Sequence, residues 1–375
     1  MKINSQTKII SINLVKKLLK NKNIKLEGLF SLPWYLEWIT RDIPKAKIFY
    51  ATLDLNIILP IIFLKKNFIN VAYMSSPPNL IYGNLDLNNL TFDILKEISS
   101  IINFHILIIR IHPHDNVSRV KLLSNKSYLL VEDKADLFIN LKKSVADIYY
   151  NFEKRTRYTL RKALKLNDAE ILKQFTNDPY LGGMIYEESN EKGLIDFSRL
   201  LKYQLAKIVL ESKRKNVKEF LGLQSYYSIE NLKKTFEILG REGLLRLFFA
   251  RGAHQEPEAG VALFVSKDYL SSPMAYWWLG ASTYSAERKA LPTILQFSII
   301  NILKNEGYKR YFLGGVGKDF RKVSTGPALF KRGFSKNFKQ GYLLIFFEKT
   351  FFTNLYYILS NPKLLDFAKY LISFK

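Results

Sequence analysis

Between Ala275 and Gln340 the chain sets out two apolar runs that each end in glycine, with a helical pattern between them, and this order constrains the fold more than any other feature. Ala275 to Ser282, reading AYWWLGAS, is aromatic-rich and closed by Gly280, as a buried strand is. Pro292 suits the first turn of a helix. Leu291, Ile294, Leu295, Ser298, Ile299, Ile302 and Leu303 then recur at helical spacing until Gly307 stops the pattern. Tyr308 to Leu313 reads as a second strand running into Gly314-Gly315, where only a residue without a Cβ lets the backbone turn sharply or a ligand approach closely. Trp277 and Trp278 alternate faces of the first strand, so one belongs in the core and the other faces a cleft; the sequence leaves open which.

Elsewhere the patterning predicts strands at Ile48 to Asp54, Ile57 to Leu64 and Asn70 to Met74, followed by a turn at Ser75-Ser76-Pro77-Pro78-Asn79. A helix over Thr91 to Asn103 and a buried strand over Phe104 to Ile111 come next. Later segments read as a helix over Asn151 to Leu166, a strand at Ala169 to Phe175, and a helical region reaching Gly240. Strands Leu244 to Ala250 and Gly260 to Ser266 follow, joined by a loop that holds His254, Glu256 and Pro257. No repeat of sequence is visible across this pattern.

A length of 375 residues exceeds the usual single core, and 48% apolar residues suffice to bury two. Without cysteine there is no disulfide, no thiolate metal site and no cysteine nucleophile. Lys8, Lys16 and Lys17 interrupt the amino-terminal apolar residues, so no signal peptide is expected, and no window approaches the ~18 apolar residues of a membrane span. The expected location is cytoplasmic, with peripheral contact at the inner face of the cell membrane as an option.

The net charge is +24, from 57 basic and 33 acidic residues, which favours phosphate-bearing partners without distinguishing tRNA, a nucleotide sugar, coenzyme A or an anionic lipid. The helix at 151–166 is more specific. Lys154, Arg157, Arg161 and Lys165 recur at three and four residues and share one face, while Phe152, Leu160, Ala163 and Leu164 supply an apolar one. Four cations on one side suit a diphosphate, with arginine capable of bidentate contact, although an ordinary solvated amphipathic helix has the same pattern. The stretch Lys192 to Lys218 is also basic and reads as a helical insertion.

Five of these segments together resemble the Fem family of aminoacyltransferases, which add amino acids to peptidoglycan precursors on a doubled acetyltransferase-like (GNAT) fold. They are Trp278-Leu279-Gly280-Ala281-Ser282, the helix beginning near Leu291, Phe312-Leu313-Gly314-Gly315, Phe330-Lys331-Arg332-Gly333-Phe334, and, upstream, Lys154 to Ala163, which is similar to the family's Thr-Arg-Tyr-x-x-Arg-x-Ala helix. The resemblance implies an α/β (α+β) protein of two GNAT-like units, each a mixed twisted sheet flanked by helices. Residues 1–145 form the divergent first unit and 146–345 the second, with the basic insertion at 192–218; a helical segment at 346–375 packs back on the first.

Acyl transfer to an amine needs a neutral nitrogen, a carbonyl beside it and stabilisation of the tetrahedral oxyanion; no covalent nucleophile is necessary. The resemblance places the carbonyl where two central strands splay, among Gly280, Ser282, Gly314 and Gly315, with Trp277, Trp278 and Phe330 lining the substrate. It makes Lys331, at the family's Phe-Lys position, the catalytic cation. It assigns Lys154, Arg157 and Arg161 to a phosphate-bearing acceptor, a nucleotide- or lipid-linked cell-envelope precursor. His112 stands where the family's first half commonly has an acidic residue before a proline, and imidazole suits a general base near neutral pH. His112, His114 and Asp115 are too few for a metal site, and none is expected.

No bound cofactor is expected either. Coenzyme A enzymes of the GNAT superfamily wrap the pyrophosphate in a glycine-rich loop at a helix amino terminus, whereas Ser282 to Leu291 contains no glycine, which points to an aminoacyl-tRNA donor over acyl-coenzyme A. Two alternatives remain: an acyl-coenzyme A-dependent N-acyltransferase acting on an amino sugar of a surface polysaccharide, and a noncatalytic polyanion-binding protein.

Overall fold

The computed structural model describes residues 8–26, 28–53, 57–66, 69–74, 79–80, 106–111, 128–212, 228–252, 255–315 and 326–347. All four histidines, among them His112, and the expected elements at 91–103 and 348–375 lie outside the described residues.

The same strand plan occurs twice. In the first half β1 (Lys8–Ile10), β2 (Lys47–Leu53), β3 (Ile57–Lys66) and β4 (Ile69–Met74) pair antiparallel in sequence order, and β5 (Asn79–Leu80) adds to β3. β6 (Ile106–Ile111) then lies parallel to β4. In the second half β8 (Ile185–Glu187), β9 (Leu245–Arg251), β10 (Pro257–Ser266) and β11 (Met274–Ser282) are antiparallel in order, and β12 (Arg310–Gly315) lies parallel to β11. A parallel pair needs a long crossover, supplied here by the helix Leu291–Asn305.

The halves exchange their closing strands. β7 (Tyr128–Asn140), which follows β6 in the chain, pairs with β12 of the second half. β13 (Phe338–Phe347), which follows β12, inserts between β6 and β7. Two GNAT-like units thereby share one hydrogen-bonded path, in the order β1-β2-β3-β4-β6-β13-β7-β12-β11-β10-β9-β8.

Helices cover both faces of the second half. On one face pack α3 (Val145–Tyr150), α4 (Lys154–Leu164), α5 (Asp168–Asn177) and, after α6 (Glu191–Ser212), α7 (Ile229–Leu239) and α8 (Tyr284–Arg288) in the chain, the crossover helix α9 (Leu291–Asn305) and α10 (Gly326–Phe334). All the residues read as the apolar face of α9 are buried, and so are Gln296, Phe297, Ile300 and Asn301, so the helix is enclosed nearly all round. The Asn301 side chain answers this burial by donating to the Phe297 carbonyl at 2.8 Å.

The other face carries the amino-terminal helices α1 (Ile12–Lys20) and α2 (Pro33–Thr40) beside α6 (Glu191–Ser212) and α7 (Ile229–Leu239). Tyr35 donates its hydroxyl to the Leu244 carbonyl at 3.1 Å, and Trp38 its indole N–H to Thr235 Oγ1 at 3.0 Å. The amino-terminal helices therefore cover the second half of the sheet. Within the basic stretch 192–218, α6 buries Leu194, Phe197, Leu200 and Leu201 against that sheet and exposes Lys192, Arg199 and Lys202.

One predicted strand is a helix. Ala169 to Phe175 falls inside α5, because Asn167 accepts from the Glu170 amide while the Glu170 carboxylate accepts from the Asn167 amide, a reciprocal cap worth about 1 kcal/mol. Ile171 and Phe175, four residues apart, then face the core together. Among the described residues no helix is long and apolar enough to cross a membrane.

Candidate active site

β11 and β12 pair over only three positions, Met274 with Arg310, Ala275 with Tyr311 and Tyr276 with Phe312, and then part. A bulge on the outer edge of each strand bends them away from each other. On β11, Leu279 pairs with Ala262 and Trp277 with Leu263, leaving Trp278 as the extra residue. On β12, Gly314 pairs with Leu137 and Phe312 with Phe138, leaving Leu313 extra. Gly314 has φ +80°, a conformation that favours glycine. The result is a fork whose tines are Trp277 to Ser282 and Leu313 to Gly315.

Three polar atoms, two from β11 and one from α10, converge on this fork. A Cβ on Gly314 would lie 3.3 Å from Lys331 Nζ, 3.3 Å from the Trp277 carbonyl oxygen and 3.5 Å from the Tyr276 hydroxyl. Lys331 descends from α10, reaches within 3.5 Å of the Gly315 carbonyl, and holds its ammonium 5.4 Å from the centre of the Trp277 ring, a favourable cation–π distance. That ring meets Phe330 edge-on at 5.9 Å. Gly280 permits the arrangement, since a Cβ there would fall 2.7 Å from the Trp277 indole. The fork thus gathers Trp277, Gly280, Gly314, Gly315, Phe330 and Lys331.

Trp278 goes the other way. It stacks on Phe264 at 4.7 Å and meets Trp38 edge-on at 5.8 Å, on the face covered by α2; both tryptophans are half-buried, each packed against the core of its own face. Ser282 ends β11 and bonds Glu287 at 3.0 Å; the same carboxylate receives Lys207 of α6 at 2.6 Å. Two residues absent from the sequence reading border the fork. Tyr276, in regular register with Phe264, brings its hydroxyl to the niche at Gly314, and Asp136, buried on β7, is register partner to Gly315.

The basic helix α4 is fastened to α10, which carries Lys331. The Glu153 amide donates to the Gly333 carbonyl at 2.9 Å, and Arg155 donates to the Leu329 carbonyl at 2.6 Å. Glu153 also pairs with Arg155 at 2.7 Å and Arg332 at 3.7 Å. Lys154, Arg155, Arg157, Tyr158 and Arg161 line a shallow depression of about 430 Å³, to which, among the described residues, α4 alone contributes. Arg161 reaches Asp168 at 3.6 Å, and Asp168 accepts from the Tyr149 hydroxyl at 2.6 Å; burial first, and then this bond, push the Tyr149 phenol above its ordinary range. Lys154, Arg157 and Arg161 therefore stand together, in a group of their own beside the Lys331 fork. Lys165 adopts a left-handed conformation at the carboxyl cap of the helix.

The connection after β11 is also distinctive. Thr283 caps a short helix α8 (Tyr284–Arg288), and α9 begins after Ala290, where the Thr293 and Ile294 amides both bond to the Ala290 carbonyl and Pro292 has no N–H. Among the described residues no group of three or more His, Cys, Asp or Glu side chains could hold a metal ion; His112, His114 and Asp115 are not among them.

No protein-family model matches this sequence, and no curated protein is similar to it at sequence level. The architecture is nonetheless shared with solved structures. FemX aligns with a TM-score of 0.62 at 14% identity, over 93% of this chain and 99% of its own. A conserved protein of unknown function from Bacteroides thetaiotaomicron aligns at 0.53 and 11% identity, over 91% of this chain and 99% of its own. The chain has the doubled, GNAT-like fold of FemX.

Proposed function

We propose that this chain is a Fem-type acyltransferase that moves an aminoacyl group onto an amine of a cell-envelope precursor. The observation that carries this reading is the fork at Gly314, where strand ends opened by two bulges meet the Lys331 ammonium. The acyl carbonyl would lie between the tines. The neutral amine adds to it, negative charge collects on the carbonyl oxygen, and the ammonium of Lys331 stabilises that charge where no covalent nucleophile is required. Lys154, Arg157 and Arg161 would hold the phosphates of a nucleotide- or lipid-linked acceptor. His112 stays the proposed general base.

For the donor we favour aminoacyl-tRNA over acyl-coenzyme A. The amides that open α9 already serve the Ala290 carbonyl, and Pro292 interrupts them, so this helix end is poorly furnished to wrap a pyrophosphate. We place the protein in the cytoplasm, working at the inner membrane face when the acceptor is lipid-linked. A second reading, a polyanion-binding protein without chemistry, is favoured by one observation: among the described residues the α4 depression is lined by α4 side chains and none from the fork.

The deciding experiment incubates the purified protein with a pool of radiolabelled aminoacyl-tRNA, or of acyl-coenzyme A, and separate nucleotide-linked, lipid-linked and amino-sugar acceptors. Mass spectrometry of cell-wall precursors and surface glycans, with and without the protein, identifies the product. Transfer to an amine sustains the proposal; tight polyanion binding with no transfer from either donor replaces it with the second reading.

A further inference from the structure

The space that Gly314 leaves open is bordered by two hydrogen-bond donors and one acceptor: the Lys331 ammonium, the Tyr276 hydroxyl and the Trp277 carbonyl. A tetrahedral adduct of an amine and an acyl carbonyl has the matching requirements, an oxyanion that needs donors and an N–H that needs an acceptor. Building on the transferase reading above, we infer that Tyr276 is a further catalytic residue, the second oxyanion donor beside Lys331, and that the Trp277 carbonyl holds the attacking amine. The phenol reaches the fork from the face opposite the Trp277 ring, since Tyr276 packs on the amino-terminal side of the sheet, edge-on against Phe30 at 5.8 Å. Phe30 is itself set edge-on against Tyr35 at 5.6 Å, so the ring that aims the hydroxyl is held by packing.

The step balances without further reagents. The amine lone pair forms the N–C bond, the C=O pair moves onto oxygen, and Lys331 and Tyr276 donate hydrogen bonds to that oxygen. On collapse the C=O bond re-forms, the bond from the acyl carbon to the leaving oxygen or sulfur breaks, and the proton given up by the nitrogen goes to the leaving atom. Tyr276 keeps its proton throughout.

Tyr276→Phe tests this, because the ring and its contact with Phe30 remain while the donor is removed. Assayed for transfer with the donor and acceptor that support wild-type activity, the variant is expected to lose about 100-fold in kcat, with KM and melting temperature unchanged. Fluorotyrosine at position 276, a stronger donor of the same shape, is expected to restore kcat to the wild-type value or above. A kcat within about twofold of wild type, or a loss confined to KM, overturns the inference. In that case an active wild type and an inactive Lys331→Met variant leave the transferase reading standing. A wild type inert with both donors overturns the reading and this inference with it.

Discussion

The Thr156 hydroxyl occupies the space that any side chain at position 333 would need: a Cβ on Gly333 would lie 2.3 Å from Thr156 Oγ1. This contact joins the basic helix to the helix that carries Lys331 through two residues 177 positions apart in the chain. The next atom, Thr156 Cβ, would be 3.6 Å away, an ordinary contact. Gly333→Ala is therefore expected to destabilise the fold by about 1–3 kcal/mol, lowering the melting temperature by several degrees. Adding Thr156→Ala removes the offending oxygen and recovers most of the loss. A thermal double-mutant cycle checks it, and strictly additive effects would refute the contact.

Lys331→Ala is expected to abolish transfer and leave the protein folded, since a cation at the fork acts on the transition state more than on stability. Loss of a single donor of this kind costs about 10²–10³ in kcat. Unchanged turnover removes Lys331 from the mechanism.

At Gly314 an alanine meets both a positive φ and the crowded polar niche. Gly314→Ala should cost about 1–2 kcal/mol of stability, measurable in denaturant, and eliminate transfer even where the variant remains fully folded. Retention of wild-type kcat would show that the acyl group lies elsewhere.

The donor proposal predicts that binding falls steeply with salt and that ribonuclease ends activity, because neutralising several phosphates releases counterions. Arg157→Ala and Arg161→Ala, which the proposal places on the acceptor phosphates, should raise the KM for the acceptor and leave the salt slope of tRNA binding unchanged. Activity from acyl-coenzyme A with no RNA present would transfer the function to the N-acyltransferase alternative.

Alkaline pH should unfold this protein cooperatively. Burial holds the phenols of Tyr35, Tyr50 and Tyr311 above their ordinary range, and Tyr35 and Tyr50 donate to the Leu244 and Ser31 carbonyls. In the unfolded chain a tyrosine ionises near pH 10, so above that value the unfolded state binds fewer protons than the native one and stability declines. The contribution is fully present below about pH 10 and is lost as pH rises toward the folded values. Tyrosinate absorbance should therefore lag behind that of a denatured control and then rise together with the loss of circular dichroism.

The fork's framework was legible in the sequence because it is local. Gly280 and Gly314-Gly315 mark the strand ends, and the apolar spacing from Leu291 to Leu303 fits one helix. Alternation put Trp277 and Trp278 on opposite faces, but that the first meets Phe330 of α10 and the second Trp38 of α2 depends on how the helices pack on the sheet. Ala169 to Phe175 misled because a short apolar run fits either element, and its capping pair, Asn167 and Glu170, decided it. Tyr276 was missed because its hydroxyl reaches Gly314 only after folding. The bond from Arg155 to the Leu329 carbonyl of α10 likewise depends on how α4 docks, which spacing along one helix cannot reveal.

The exchange of β7 and β13 has a consequence for synthesis on the ribosome. β6 and β7 emerge early, yet the strand that lies between them, β13, is the last described strand to leave the tunnel. Until residues 338–347 have emerged, the nascent chain presents two unsatisfied strand edges, a template for intermolecular pairing. A truncated product lacking residues 338–347 would keep the parts of the fork and leave that central gap unfilled, so premature termination should yield aggregates recovered with chaperones instead of a smaller folded protein.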